Sequence, residues 1–268
     1  MKWRLLLLPL LATAFLSGCG TFNKPALPKF AVGEAPRPTP PPDVWAAKLR
    51  ATDVVYCGLT KRWTIEHQPA WRIVEAWQKN GARVALGWTD IPTSEQPLLD
   101  QWQRQEITGP QLLDQLATPA RGDRLSRALR PDLVHVALGS PPALLGKIRA
   151  GEPLSPEERA LLPNEYRSRP DAFDNFSDRV AASARLRRYN LARLYRTHLA
   201  AEQMIAKHIV GFVRDHPGVK LLVFLPDDAM INPREVADFV AQKAPLRQLI
   251  LDRSDPLDEA RPQLLAGR

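Results

Sequence analysis

Along the chain, short continuous apolar runs alternate with stretches in which apolar residues recur every three or four positions. The runs at residues 54–57, 84–86, 133–138, 221–225 and 249–251 are rich in β-branched, aromatic and leucine side chains. Apolar character on both alternations is the mark of strands buried on two faces. Between them, residues 66–80 carry Trp71, Val74 and Trp77 at helical spacing, with Pro69 tolerated in the first turn and Gly81 placed to end the helix. Residues 94–104, 108–116 and 234–243 also read as helices. Ser155-Pro156-Glu157-Glu158 is a helix start in which Ser155 caps and Glu158 reaches back. Residues 176–216 read as one long helix, stopped by Pro217-Gly218. Five strands separated by helices predict an α/β fold: a mostly parallel five-stranded sheet, covered by helices on both faces, with one long helix in the C-terminal half.

The N-terminal stretch departs from this pattern. Lys2 and Arg4 precede an apolar run over residues 5–16 that is too short to span a bilayer, so residues 1–18 read as a signal peptide. The run ends in Leu16-Ser17-Gly18-Cys19, which resembles a bacterial lipobox. Cys19 is then the lipidated residue and new N-terminus, and several acyl chains on one cysteine anchor stably. Gly20 in place of an aspartate points to the outer membrane, facing the periplasm. Residues 19–43 contain seven prolines and no hydrophobic period, which predicts an extended tether. The folded domain is expected at 44–255 and a loose tail at 256–268.

Charge and cysteine usage add little beyond this. The formal charge is +8 over 268 residues, and removing Lys2 and Arg4 lowers it by two. A basic balance suits an anionic membrane surface or an anionic ligand, and the exported location argues against nucleic acid. With Cys19 lipidated, Cys57 has no disulfide partner and reads as a buried thiol.

In wound parallel sheets, ligands bind beyond the carboxyl ends of the strands. The loops that matter start at Gly58, Gly87, Gly139 and Pro226. They offer Lys61, Arg62, Glu66 and His67; Trp88, Thr89 and Asp90; Ser140, Pro141 and Pro142; and Asp227 with Asp228. No pair has metal-ligand spacing, and there is no nucleophile elbow and no glycine-rich phosphate loop. Asp227-Asp228 reads first as a pair of turn caps and second as a carboxylate pair.

Three strings resemble a known family. "ATDVVYCGLTKRWTIEHQPAWRIVEAWQKNGARVALGWTDIPTSEQPLLDQW" is similar to the opening strand, loop and helix of ChaN-type lipoproteins. "VHVALGSPPALLGKI" resembles their third strand and its turn, and "YRTHLAAEQMIAKHIVGFVRDHPGVKLLVFLPDDAM" their long helix and the strand after it. The group is the haem-binding uptake proteins, related to Tiki and erythromycin-esterase-like proteins, and the resemblance covers about residues 51–252. It implies a haem or iron ligand, and protomers that pair around it or an envelope-protein partner.

The departures are as informative. The family's Glu and His in the first loop fall at Leu59 and Lys61, and its Asp at Arg62. The Glu of the second strand falls at Gly87, the Arg of the third loop near Pro142, and the last His at Ala229. Gly58, His67, Arg196 and Glu202 survive. An ammonium has no lone pair for a metal or a proton, so the scaffold is expected to bind without catalysing. Candidate ligand-binding residues are His67, Arg196, Glu202, Trp63 and Trp88, the tryptophans by stacking on a flat ligand. Tyr195 and His198 are candidate iron ligands. Each has a plainer reading: exposed histidine, surface charge, core edge. The basic run Arg185, Arg187, Arg188 and Arg193 reads first as a solvated face, second as facing a membrane or propionates. Two other functions stay open, an interaction lipoprotein with a degenerate site and, last, a hydrolase-like enzyme using Asp227, Asp228 and Glu202.

Overall fold

The computed structural model describes residues 42–58, 69–116, 129–163, 165–183, 186–225, 231–251 and 262–265. The chain divides into two units, 1–38 and 39–268, and all of these residues belong to the second. The signal-peptide, Cys19 and tether expectations lie almost wholly outside the described residues. Among the described residues, no helix is long and apolar enough to cross a membrane.

The elements in chain order are α1 (Pro42–Ala51), β1 (Val54–Gly58), α2 (Pro69–Lys79), β2 (Val84–Pro92), α3 (Gln96–Gln103), α4 (Gly109–Gln115), β3 (Val134–Gly139), α5 (Pro142–Ala150), α6 (Pro156–Leu161), α7 (Ala172–Ala182), α8 (Leu191–Asp215), β4 (Lys220–Leu225), α9 (Pro233–Ala241), β5 (Gln248–Leu251) and β6 (Pro262–Leu265). The sheet order is β3-β2-β4-β1-β5-β6. β1 to β5 are mutually parallel, as the five apolar runs predict, and the fold is α/β. Their carboxyl ends therefore lie along one rim.

Alternation along each strand builds two cores. Val55, Cys57, Leu86, Trp88, Leu222 and Phe224 face one side, where Trp71, Val74, Trp77, Leu99 and Leu112 of α2, α3 and α4 cover them. Val54, Tyr56, Ala85, Leu221, Val223 and Leu225 face the other, under Ile205 and Ile209 of α8 and Val236, Phe239 and Val240 of α9. A side chain that leaves water on folding gains about 1.5–3 kcal/mol, which is why five such strands specify the sheet.

Three expectations need correction. The single helix over 176–216 is two helices. Ser183 is extended (φ −106°, ψ 109°) and ends α7, and Asn190 caps α8 by accepting from the Arg193 amide at 3.0 Å. The tail is not loose throughout, because Pro262–Leu265 pairs antiparallel with β5 as a sixth strand. α1 and α5 were not anticipated. α1 begins inside the proline-rich segment, and α5 carries an interior Gly146 that weakens its helical signal.

The β3 edge of the sheet is closed by side chains. Gln96 Oε1 accepts from the Ala137 amide at 2.6 Å, and its Nε2 donates to the His135 carbonyl at 3.1 Å. Gln103 Oε1 accepts from the His135 amide at 3.3 Å, and its Nε2 donates to the Leu133 carbonyl at 2.9 Å. Two amides, two helical turns apart on α3, thus take the hydrogen-bonding role of a neighbouring strand. An open edge invites pairing with another chain.

Candidate functional site

The mid-portion of α8 lies against the carboxyl rim. Ser140, just past β3, donates to the Ala201 carbonyl at 3.5 Å. Asn232, on the return from β4, donates its amide to Glu202 Oε1 at 2.6 Å. Asn232 also caps α9, its Oδ1 accepting from the Arg234 amide at 3.1 Å. Glu202 therefore fixes where the chain re-enters helix after β4.

α8 carries Tyr195, His198 and Glu202 at i, i+3 and i+7, on the stripe that includes buried Leu194, Ala201 and Ile205. Polar residues on such a stripe are buried by the packing of their neighbours. His198 is 2% exposed and Glu202 1%. His198 Nε2 lies 3.1 Å from Glu202 Oε2 and 3.1 Å from Arg179 Nη2. Arg179 comes from α7, and its guanidinium carbon sits 5.7 Å from the centre of the Phe176 ring. Its Nε is buried without a hydrogen-bond partner among the described residues.

Burial dominates the proton affinities here. It pushes His198 down to about 3, and the Arg179 charge pushes the same way. It holds the Glu202 carboxyl well above the usual carboxylate range, against the pull of the Asn232 amide and with a further push from Glu235. Glu235, also buried, is raised by burial and by Asp238. Burial thus favours the uncharged form of both members of the His198–Glu202 pair. The Glu202 carboxyl and the Arg179 guanidinium both approach the same ring nitrogen, Nε2.

The solvent side of this cluster is aromatic. Phe173 of α7, 41% exposed, meets the Tyr195 ring edge-on with centroids 5.0 Å apart. Phe176 lies 5.4 Å from Tyr195 and 4.7 Å from His198, so the aromatic contact runs from the surface to the imidazole. Burial raises the Tyr195 phenol, offset by a side-chain hydrogen bond with Ser168.

The structure brings together Tyr195, His198 and Glu202. It leaves Arg196 exposed on another face of α8. Trp88 does not face a ligand and is corrected here to a core residue. It is 2% exposed, stacks on Phe224 at 4.7 Å and donates Nε1–H to His135 Nδ1 at 3.2 Å. The alternating pleat that sends Leu86 into the core sends Trp88 after it. Trp63, His67, Asp227 and Asp228 lie outside the described residues, as do Leu59, Lys61, Arg62 and Ala229. At Gly87 a Cβ would stand 2.4 Å from Leu138 Cδ1, so leucine fills the space where the resemblance puts an acid.

Arg179, Asn232 and Glu235 escaped the sequence reading. Arg179 had a usable signal, since it follows Phe176 at i+3 and so neighbours it on α7. Among the described residues, no three His, Cys, Asp or Glu side chains are grouped to hold a metal ion.

Residues 45–225 match the family described as haem-binding uptake, Tiki superfamily, ChaN. Among solved structures, the chain is similar to ChaN of Campylobacter jejuni, described by its cofacial haem binding, with a TM-score of 0.57 and 13% identity over 83% of this chain and 90% of that one. At that identity the likeness concerns the fold. It also overlaps the C-terminal region of Pasteurella multocida toxin, described as holding a thiol-protease-like triad, at a TM-score of 0.42 and 12% identity over 83% of this chain and 25% of the toxin. That likeness carries no argument about chemistry. No curated protein matches the chain.

Proposed function

The chain belongs to the ChaN family of haem-binding uptake proteins in the Tiki superfamily, and on that premise we propose that it binds haem or a related iron tetrapyrrole without catalysing a reaction. The observation that carries this reading is the aromatic seam between α7 and α8, where exposed Phe173 and half-buried Tyr195 lie in edge-on contact. A tetrapyrrole is flat and apolar, and it gains most from aromatic faces that keep one polar handle. Tyr195 supplies that handle, and a tyrosine oxygen is a known type of haem-iron ligand. His198 does not fit as an axial ligand, because its ring is buried and its Nε2 is already engaged by Glu202 and Arg179. When bound, haem supplies an iron centre with axial positions and two carboxylates.

The non-enzymatic part of the proposal rests on burial. A general base must reach its substrate's proton directly or through one water. His198 and Glu202 are occupied with each other and with the Asn232 amide. We further propose that the protein is anchored by a lipid on Cys19, a reading supported by the sequence around that residue, and Cys19→Ala is expected to release the protein from the membrane fraction.

The test is titration of residues 39–268 with haemin. A saturable Soret shift at micromolar protein that weakens in Tyr195→Phe is the expected result. No shift would overturn the reading. The buried, fully packed Trp88 favours a second reading, an interaction lipoprotein without ligand, and a flat titration together with copurifying envelope protein would favour it.

A further inference from the structure

From the charge pairing across the surface, we infer that residues 186–190 and the first turns of α8 form a docking surface for an anionic lipid bilayer. Elsewhere, several arginines are held by neighbouring acids, and the exposed ones without a paired acid among the described residues, such as Arg50, Arg83 and Arg167, are scattered singly along the chain. Arg104 pairs with Glu106 at 2.6 Å, Arg130 with Asp132 at 2.6 Å, Arg169 with Asp171 at 3.1 Å and Arg214 with Asp215 at 3.0 Å. Arg187, Arg188, Arg193 and Arg196 are all exposed, within ten consecutive residues, and none is paired with a carboxylate among the described residues. Arg193 donates instead to the Ala150 carbonyl at 2.7 Å, which pins the start of α8 to the end of α5. Four cations within ten residues, none paired with a carboxylate among the described residues, attract an anionic surface and lose that attraction as salt rises.

Apolar groups sit with the charges. Among the described residues, the exposed large hydrophobics are Leu161, Phe173 and Tyr189. Tyr189 lies inside the arginine arc, 38% exposed, with the Arg188 guanidinium 5.4 Å from its ring centre. A tyrosine flanked by arginines matches the boundary between headgroups and acyl chains, where the ring sits at headgroup depth and the guanidinium binds phosphate. An acidic protein partner would satisfy the charges without using the aromatic. The proline-rich segment adds a reason for a membrane over a soluble polyanion. From a lipid on Cys19, a tether of its length holds the domain within roughly 75 Å of the bilayer. The patch would turn that tethered volume into one orientation.

The experiment uses residues 39–268, which contain the whole sheet and both main cores. Co-sedimentation is measured with vesicles of phosphatidylcholine containing phosphatidylglycerol, and with phosphatidylcholine alone. Binding is expected only to the anionic vesicles, to fall with added salt, and to resist inorganic phosphate at equal ionic strength. Each arginine near the surface is worth about fivefold in partitioning, so R187E/R188E is expected to lose at least about tenfold. Tyr189→Ala should lose a few-fold. An unchanged thermal midpoint shows that these exposed positions leave the fold intact. Equal binding to neutral vesicles, no vesicle binding, competition by phosphate alone, or an R187E/R188E variant that binds like the parent would each overturn the inference. So would an R187E/R188E variant that loses haemin affinity while keeping its vesicle affinity, since the patch would then serve ligand carboxylates.

Discussion

Two buried imidazoles in this molecule meet opposite treatment. His135 of β3 is closed on all sides. Its Nδ1 accepts from Trp88 at 3.2 Å, its Nε2 lies 3.2 Å from the Arg130 carbonyl, and Trp88 stacks on it at 8°. One donor meets one acceptor at each nitrogen, which fixes the Nε2–H tautomer, and burial pushes its pKa down to about 4. His198 of α8 is equally buried, but its Nε2 is approached by both Glu202 and Arg179, and Arg179 Nε has no hydrogen-bond partner among the described residues. A satisfied polar network specifies a core, whereas a partly satisfied one leaves the desolvation of a buried group uncompensated. The first cluster lies in the core beneath α3 and the second lies between the sheet rim and the aromatic surface.

Breaking the closed cluster should cost most. Trp88→Ala removes a core ring and the donor to His135, and about 3–5 kcal/mol of unfolding free energy should be lost in urea melts. Glu202→Ala strands the Asn232 amide and is expected to cost about 2–3 kcal/mol, whereas Glu202→Gln keeps an acceptor and should cost less than half as much. If both variants lose the same amount, Glu202 does not hold the α9 entry.

The pH dependence separates the clusters by sign. Both imidazoles have folded values below their ordinary one, so they favour the unfolded state on protonation. Their contribution is complete above about pH 6.5 and is lost as pH falls towards about 4 for His135 and about 3 for His198. Glu202 runs the other way. Its folded value is raised, so its contribution is complete below its ordinary value of 4.5 and is lost as pH rises beyond that. Between pH 4.5 and 6.5 the two members of the α8 cluster therefore pull in opposite directions. His135 has no such counterweight. His135→Phe should remove about one proton of slope, near 1.4 kcal/mol per pH unit, in stability measured across that window, and Glu202→Gln should steepen it. Equal slopes in all three proteins would erase the distinction.

The smallest effect concerns the edge that the His135 strand forms. Gln96→Ala and Gln103→Ala each remove two edge hydrogen bonds, at about 1 kcal/mol apiece. The double variant should also associate at concentrations where the parent is monodisperse in light scattering.

Legibility differed between elements for physical reasons. Strands buried on two faces need unbroken apolar runs, so the 54–57, 84–86 and 221–225 segments announced themselves. The Ser155 capping box was read correctly because its two hydrogen bonds depend on four adjacent residues. The break between α7 and α8 was missed because Ala184, Leu186 and the arginines beside them favour a helix, and only Asn190 signalled a new start. Glu202 came from family likeness and His198 from its residue type. Neither indicated that they bond to each other.

The sequence by itself determined the α/β class, the parallel strands and the stripe on α8, because these follow from the spacing of apolar side chains within one element. Only the tertiary structure decided that Trp88 belongs to the core, that Arg179 stands over Phe176 against His198, and that two glutamines close an edge. Those outcomes depend on which elements meet, and Arg179 and His198 are brought together by a turn that no local periodicity specifies.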